Sequence, residues 1–408
     1  MASSKRRRLR VGFVGLGHIS HENVLGYLGH PDAEIVAVCS PTESKAREWL
    51  RRYELPDGRY YPDIQSMLER DTLDIVEILT PHFLHHEQVL ACAEAGVKGV
   101  SVQKPMANRL GECQEMIDAC RRAGSMLKVY ENFVFYPVYL KAKELTDSGV
   151  LGDLISMRVN TMTGKRDGSP WPWPFDPRSW RSSVATAGTS PLVGDDGFHK
   201  FSLVRWFMER DLETIGAWID RDSPLDAPAL IRGRFRRSPA EANREANRYA
   251  QIDFSFSPKM ATPFEFWLDE FVEVVGERGV MWINQCSAAG DRQMFRGNRM
   301  SESPAFPPIV VYRDGSVETY LEDISPSERN WSTSFVGSTR QFIDVVRDGG
   351  GEPIYTGEDG MEITRYAIAA LVSAELGRDV DLDEITAAAE AEGSFVVTTN
   401  FLNLEAAP

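Results

Sequence analysis

The stretch RVGFVGLGHIS, residues 10–20, decides the fold class of the amino-terminal half. A short apolar run ends at Val14, glycines follow at positions 15 and 17, and a helical pattern continues through Leu28. This order of strand, glycine turn and helix is how a parallel α/β unit begins. The segment therefore predicts the start of a parallel sheet that helices cover on both faces.

The glycine turn also has the chemistry of a nucleotide site. Gly15 permits a tight turn, and Gly17 lets the main chain approach a pyrophosphate, with His18 and Ile19 beside it. The third small position of the pattern is Ser20, which still allows close packing of the helix on the strand. We therefore predict dinucleotide binding here, against the alternative of a purely structural turn.

Strands and helices alternate through the rest of this half. The predicted strands are 34–39, 75–79, 97–102 and 126–130, and the predicted helices are 44–53, 85–95 and 111–123. Near-continuous Val and Ile runs between amphipathic helices indicate a sheet that is buried on both faces. The sequence predicts a Rossmann dinucleotide-binding domain over residues 1–127.

After residue 127 the pattern changes to that of a second α/β domain, over residues 128–408, with an open, mostly antiparallel mixed sheet. Predicted strands are 154–163, 213–219, 250–256, 265–275, 280–283 and 309–313, and predicted helices are 138–148, 198–208, 335–347 and 358–376. The Arg-rich stretch 232–248 is interpreted as a solvated loop or edge strand. The end of the chain is interpreted as an Ala/Glu-rich tail.

Charge and cysteine content exclude several classes of protein. Asp and Glu outnumber Lys and Arg by 60 to 45 in 408 residues, a formal charge of −15, so a nucleic-acid partner is not expected. Five cysteines without a C-x-x-C pair favour a reducing, cytoplasmic environment. No secretory signal or membrane-spanning stretch is recognised. The H-x-x-H-H run at His82, His85 and His86 lacks accompanying carboxylates or cysteines, so no metal is expected.

The end of the second predicted strand bears on the choice of cofactor. A dinucleotide site usually has a carboxylate here that binds the adenosine ribose, but this chain has Ser40. A hydroxyl leaves room for a 2′-phosphate, which Lys45 and Arg47 on the next helix could neutralise. The local chemistry therefore leans to NADP over NAD. The alternative is a helix-starting turn, with Lys45 and Arg47 on the solvated face of its helix.

Further motifs follow the other predicted strands and open a helix of the second half. They are, in order, Thr80-Pro81 with His85, Gln103-Lys104-Pro105, Asn132 followed by Pro137, Trp180-Arg181, and Asp195 four residues before His199. Their order and spacing, together with the glycine turn, resemble the glucose–fructose oxidoreductase / inositol dehydrogenase (Gfo/Idh/MocA) family over nearly the whole chain. The family usually has Glu where this chain has Gln103.

The resemblance implies an NAD- or NADP-dependent oxidoreductase that transfers a hydride between nicotinamide and a secondary hydroxyl or ketone of a sugar, glycoside or cyclitol. It implies Lys104 as the active-site lysine, with Asp195 and His199 as its catalytic partners. A neutral imidazole can take the hydroxyl proton, and the lysine can stabilise alkoxide character. The implied cofactor contacts are Thr80, Pro81, His85, Gln103, Lys104 and Asn132, and the implied substrate contacts are Lys104, Asn132, Trp180, Arg181, Asp195 and His199.

Several alternatives stay open at this point. Some relatives of this family keep the nicotinamide tightly bound and use it for glycoside cleavage or for oxidoreduction between two sugars. A non-catalytic protein that binds the cofactor and regulates a partner is the third alternative. The Pro/Trp loop, residues 170–180, could grip a sugar ring through its indoles, or could be a rigid loop at a subunit interface. The resemblance also implies a homodimer or homotetramer assembled through the second sheet.

Overall fold

The computed structural model describes residues 7–165, 190–223, 225–237, 247–261, 268–284, 307–321, 328 and 331–392. Within these ranges the main sheets are one of six strands and one of nine. The predicted division at residue 127 stays a prediction. Among the described helices, none combines the length and apolar character needed to cross a membrane.

The first sheet is parallel throughout, in the order β3-β2-β1-β4-β5-β6. Its strands are β1 Leu9–Val14, β2 Ala33–Cys39, β3 Arg59–Tyr61, β4 Ile75–Ile78, β5 Gly99–Gln103 and β6 Met126–Tyr130. Strands β4 and β5 are buried along their whole length, as their continuous apolar runs predict. The strand order reverses between β1 and β4, which is where ligands bind in such sheets. The predicted Rossmann fold is confirmed.

Helices connect these strands and cover both faces. They are α1 Ser20–Asn23, α2 Glu43–Arg52, α3 Ile64–Arg70, α4 His85–Glu94 and α5 Leu110–Ala123. The prediction of a helix through Leu28 is wrong, because α1 gives way to a 3₁₀ turn at Val24–Gly26. At this turn a Cβ on Gly26 would lie 2.4 Å from Thr339 Cβ, so a later helix passes in close contact. The short β3 and α3 were not predicted.

That later helix, α8 (Trp331–Asp348), completes the first sheet's packing although it comes late in the chain. Phe342, Ile343 and Val346 of α8 share one hydrophobic cluster with the side chains of β1. Polar contacts add to the packing, because the buried Lys128 ammonium donates to the Ser338 carbonyl oxygen at 3.0 Å. Burial lowers the pKa of Lys128 to about 8, and the coulombic effect of the buried Glu77 carboxyl on β4 opposes that shift.

The second sheet has the order β14-β13-β12-β11-β7-β10-β9-β8-β15, and only β7 and β10 pair in parallel. Its strands are β7 Leu154–Lys165, β8 Leu212–Ile219, β9 Ala229–Phe235, β10 Tyr249–Ala261, β11 Leu268–Gly276, β12 Gly279–Ile283, β13 Ile309–Arg313, β14 Ser316–Tyr320 and β15 Val380–Asp381. The remaining α-helices in the described ranges are α6 Pro137–Asp147, α7 Gly197–Met208, α9 Gly357–Leu376 and α10 Leu382–Glu392. The predicted mostly antiparallel mixed sheet is confirmed.

Two interpretations of this half need correction within the described residues. Of the Arg-rich stretch 232–248, residues 232–235 belong to β9, which lies inside the sheet between β8 and β10, so this part is neither a loop nor an edge strand. Residues 236–237 and 247–248 lie outside the strands, and residues 238–246 lie outside the described residues. The arginines of β9 alternate with buried residues, and their charges are matched by neighbours, Arg232 by Asp379 and Arg234 by Glu213. The Ala/Glu-rich tail begins as an ordered helix, α10, in which Leu382 and Ile385 are fully buried.

Candidate active site

Lys104 and Asp195 are brought together from distant parts of the chain. Lys104 directly follows β5, and Asp195 lies in a π-helical turn, Pro191–Asp196, that leads into α7. The Lys104 ammonium donates to Asp195 Oδ1 at 2.7 Å and to the Asp195 main-chain oxygen at 2.9 Å. Within the described ranges these are its partners, so one of its three N–H donors is left for a ligand.

His199 lies one helical turn beyond Asp195 and is also buried. Its Nδ1 is 2.8 Å from both carboxylate oxygens of Glu131, and its ring stacks on Phe133 with the centroids 4.1 Å apart. Burial lowers the pKa of His199, the Glu131 carboxylate opposes that shift, and Lys104 and Lys200 add to it. Nε2 has no hydrogen-bond partner among the described residues, so a mainly neutral ring presents an open nitrogen.

Glu131 is the part of this site that sequence reasoning missed. It directly follows β6, at the edge where the carboxyl ends of the parallel strands meet, and its side chain is fully buried. A single Glu beside the Asn132 motif has no spacing pattern of its own. Its place directly after β6 was therefore the one signal in the sequence that could have identified it.

The three histidines of the H-x-x-H-H run have three different environments. His82 Nε2 lies 3.9 Å from Asp195 Oδ1, at the site. His85 is fully buried and its ring nitrogens lie 2.9 Å from the Thr80 carbonyl oxygen and 3.1 Å from that of Pro105, so it holds the loops after β4 and β5 together. His86 pairs with Glu115 at the surface. In the part of the chain that the structure describes, no cluster of three or more His, Cys, Asp or Glu could hold a metal ion.

The glycine turn fits a dinucleotide. Gly15 has a φ of +89°, and a Cβ there would lie 2.9 Å from the main-chain atoms of Leu79, so only glycine suits the position. A Cβ on Gly17 would meet no atom within 4 Å, which leaves open space beside the turn for a pyrophosphate. The Ser20 hydroxyl donates to the Gly17 carbonyl oxygen at 2.7 Å and fixes the turn. His18 and Ile19 lie between these residues.

At the end of β2, the Ser40 hydroxyl accepts a hydrogen bond from the Thr42 N–H at 3.2 Å, as in the helix-starting alternative. Arg47 forms an ion pair with Glu43 on the exposed face of α2. Lys45 is exposed and has no ion-pair partner in the described chain. Of the two cations considered for a 2′-phosphate, Arg47 is already neutralised by Glu43, whereas Lys45 has no ion-pair partner in the described residues.

Other predicted contacts are engaged within the protein. The Gln103 side-chain amide donates to Asn23 Oδ1 at 3.2 Å, and the Asn132 amide donates to Ser334 Oγ at 2.8 Å. The Thr80 hydroxyl, beside Pro81, donates to Gln88 Oε1 at 2.7 Å. Trp180, Arg181 and the Pro/Trp loop lie outside the described residues.

A second set of buried charges lies behind His199. The Lys200 ammonium, fully buried, contacts the Glu270 carboxylate and lies 2.8 Å from Asp196 Oδ2. The Tyr139 hydroxyl donates to the other Glu270 oxygen at 3.1 Å. Burial raises the pKa of Glu270 to about 7, even though Lys200 favours the ionised form. These groups join α6, α7 and β11 beneath the site.

Comparison with known families defines the class of protein. Residues 9–131 match the family described as an oxidoreductase family with an NAD-binding Rossmann fold, and residues 139–281 match the GFO/IDH/MocA C-terminal domain. The chain therefore belongs to the GFO/IDH/MocA family of oxidoreductases, as the sequence motifs predict.

Individual relatives match over most of their length. The D-apiose dehydrogenase of Paraburkholderia graminis is 26% identical over 394 residues, which cover 97% of this chain and 94% of that protein. The myo-inositol 2-dehydrogenase of Thermotoga maritima is 25% identical, over 92% of this chain and 99% of that protein. The structure of a levoglucosan dehydrogenase with NADH and levoglucosan shares the fold, with a TM-score of 0.71, 20% identity, and coverage of 92% of this chain and 100% of that one.

Proposed function

We propose that the protein oxidises a secondary hydroxyl of a sugar, glycoside or cyclitol, or reduces the corresponding ketone, with Lys104, Asp195 and His199 as catalytic residues. The observation that carries this proposal is the pairing of Lys104 with Asp195 at 2.7 Å, with His199 one turn further along α7. Relatives that cover nearly the whole chain are named as dehydrogenases of apiose and inositol, which supports this substrate class.

Each residue has a distinct task in the oxidation direction. A nicotinamide dinucleotide held at the glycine turn of Gly15 and Gly17 would supply the hydride acceptor for the carbon that bears the hydroxyl. His199 Nε2 takes the hydroxyl proton, because the ring is held mainly neutral. Lys104 donates its remaining N–H to the same oxygen and stabilises the negative charge that develops there. Asp195 holds the ammonium in place and balances its charge.

A substrate screen tests this function. The purified protein is incubated with NAD or NADP and a panel of aldoses, glycosides and inositols, and absorbance at 340 nm is followed. Growth of absorbance with one substrate class is the expected result. A nicotinamide that co-purifies and produces altered sugar without net reduction would instead favour the closed-cycle alternative. Absence of any substrate change across the panel would contradict the proposal and favour a regulatory role.

We further propose a preference for NADP over NAD. The end of β2 has the neutral Ser40 in place of a ribose-binding carboxylate, and Lys45 nearby along the chain has no ion-pair partner in the described residues. We expect Ser40→Asp to shift the ratio of kcat/KM towards NAD by about tenfold, because a carboxylate repels the 2′-phosphate and accepts from the free ribose hydroxyl. Ser316→Asp, the same change on the exposed β14, serves as the control. An unchanged ratio in Ser40→Asp would contradict the preference.

A homodimer or homotetramer is proposed from the uncovered face of the second sheet. This open face carries Trp218, Tyr249, Phe271, Tyr312 and Val317, all exposed, with Trp218 66% exposed. Arginines on the same face are paired within the chain, Arg158 with Glu273 and Arg232 with Asp379, so an oppositely charged partner is not required for them. A second copy of this chain, which has the same mixture of aromatic and paired polar groups, suits the face.

Light scattering tests the assembly. A particle of two or four 45.8 kDa chains is expected for the wild type. Trp218→Glu together with Phe271→Glu should give monomers, because both place a charge in the buried contact. Ile354→Glu, at an exposed apolar residue outside this face, is the control that should keep the assembly. A wild-type monomer would refute the proposal.

We also propose a cytoplasmic location. Cys39, Cys92, Cys113 and Cys120 are all buried free thiols, which is consistent with a reducing compartment.

A further inference from the structure

Glu131 and Phe133 hold the ring of His199 from two directions. Both oxygens of the fully buried Glu131 carboxyl lie 2.8 Å from His199 Nδ1. The same carboxyl accepts a hydrogen bond from the Phe133 N–H at 2.7 Å through Oε1. The Phe133 ring stacks on the imidazole at an interplanar angle of 14°. One short segment after β6 therefore fixes both the position and the plane of the histidine.

We propose that Glu131 is a positioning residue that sets the tautomer of His199. An ionised carboxylate can only accept hydrogen bonds, so the nitrogen that faces it, Nδ1, carries the proton. The neutral ring then has its lone pair on Nε2, which is the nitrogen without a partner in the described chain. The inference rests on the proposed function, in which Nε2 takes the substrate's hydroxyl proton.

The charges around the ring explain why this position needs a carboxylate. Lys104, from the end of β5, and Lys200, from α7 itself, both disfavour a positive imidazole, and burial does so more strongly. Asp195 lies on the preceding turn, but its carboxylate is engaged with the Lys104 ammonium. Glu131 therefore stabilises the imidazolium that forms when the proton arrives.

Glu131→Gln separates this role from a structural one. The Phe133 N–H still requires an acceptor, so the glutamine oxygen stays there and its NH₂ group turns to His199 Nδ1. The retained oxygen still lies beside Nδ1, but the new NH₂ group faces the same nitrogen and can donate to it only when Nδ1 carries no proton. The substitution therefore favours the Nε2–H tautomer, in which Nε2 cannot act as a base. We expect kcat to fall by ~10²-fold or more. The acid limb of the kcat/KM pH profile should move to lower pH, because the group that raises the His199 pKa is lost.

Glu115→Gln is the matched control. The Glu115 carboxylate lies 2.7 Å from His86 Nε2 at the surface, so the substitution makes the same chemical change at a carboxylate–histidine pair away from the site. Its kcat and pH profile should equal those of the wild type. Wild-type kcat and an unmoved acid limb in Glu131→Gln would overturn the inference.

A measurement on the wild-type protein tests the tautomer without using activity. Long-range ¹H–¹⁵N correlation of labelled histidines distinguishes the Nδ1–H from the Nε2–H form, and the His199 signals are those that vanish in His199→Gln. The Nδ1–H form is expected above the His199 pKa, and the Nε2–H form would overturn the inference. A wild type that oxidises nothing in the substrate panel would refute the proposed function, while the tautomer would still decide the role of Glu131.

Discussion

Replacing Lys104 by Met is expected to lower kcat by ~10²-fold or more while cofactor affinity stays nearly unchanged. Methionine fills a similar volume but has no ammonium to stabilise the developing alkoxide. It also leaves the Asp195 carboxylate, 2.7 Å from Nζ in the wild type, without its cation. The measurement is steady-state kinetics on the substrate found in the screen, with cofactor binding followed by fluorescence.

Lys98→Met is the control for this prediction. Lys98 immediately precedes β5, at the end of the strand opposite to Lys104, and its ammonium donates to Asp74 at 3.1 Å near the surface. The same chemical change there should leave kcat within about twofold of the wild type, since a partly exposed pair contributes little. Lys104→Met with wild-type kcat would remove the lysine from the mechanism.

Lys200→Met is expected to destabilise the fold by ~3–5 kcal/mol, because it leaves the buried Glu270 and the partly buried Asp196 without their cation. The ammonium contacts Glu270 and Asp196, and neither Lys200 nor Glu270 has any exposed side-chain surface. Urea unfolding at several pH values measures the effect. Lys141→Met, at a surface pair with Glu144, should cost less than about 1 kcal/mol.

The loss in Lys200→Met should grow with pH. The folded-state pKa of Glu270, about 7, is raised above its unfolded value, so the stability that this group contributes is present at low pH and is lost as the pH rises through 7. Lys200 favours the ionised form of Glu270, so removing the lysine raises the pKa of Glu270 further. Ionising Glu270 in the folded variant then costs more free energy than in the wild type. The destabilisation should therefore be larger at pH 8 than at pH 5. Adding Glu270→Gln should recover much of it, and a pH-independent loss would contradict this account.

Apolar runs and glycine positions in the sequence predicted most of the fold, because the apolar runs are the segments that the folded protein buries. The apolar runs of β4 and β5 are buried throughout, and the glycine turn has the positive φ that Gly15 permits. Strand β9 was misread because Arg232 and Arg234 suggested solvent, although Ile231, Gly233 and Phe235 alternate with them as buried residues. The matching acids, Asp379 and Glu213, come from other strands or loops, which no local pattern reveals.

The candidate site likewise contains residues that local motifs predict and a residue that only a long-range contact reveals. Lys104, Asp195 and His199 were predicted as catalytic because each belongs to a motif of fixed spacing, and the structure brings Lys104 and Asp195 into contact. Glu131 was missed because its importance depends on a contact with a residue 68 positions away. The predicted role of Ser40 in cofactor preference and the predicted substrate contact of Trp180 both depend on side-chain geometry, which motif spacing does not determine.

Helix α8 packs on the first sheet, but the ribosome adds it long after the strands that it covers. The face formed by Val11, Phe13 and Ile75 is covered by Phe342 and its neighbours. On the ribosome, the roughly 200 residues between Tyr130 and Trp331 take roughly 10–40 s to add at ~5–20 residues per second. During that interval the nascent amino-terminal half carries an apolar surface that α8, synthesised later, covers in the finished fold.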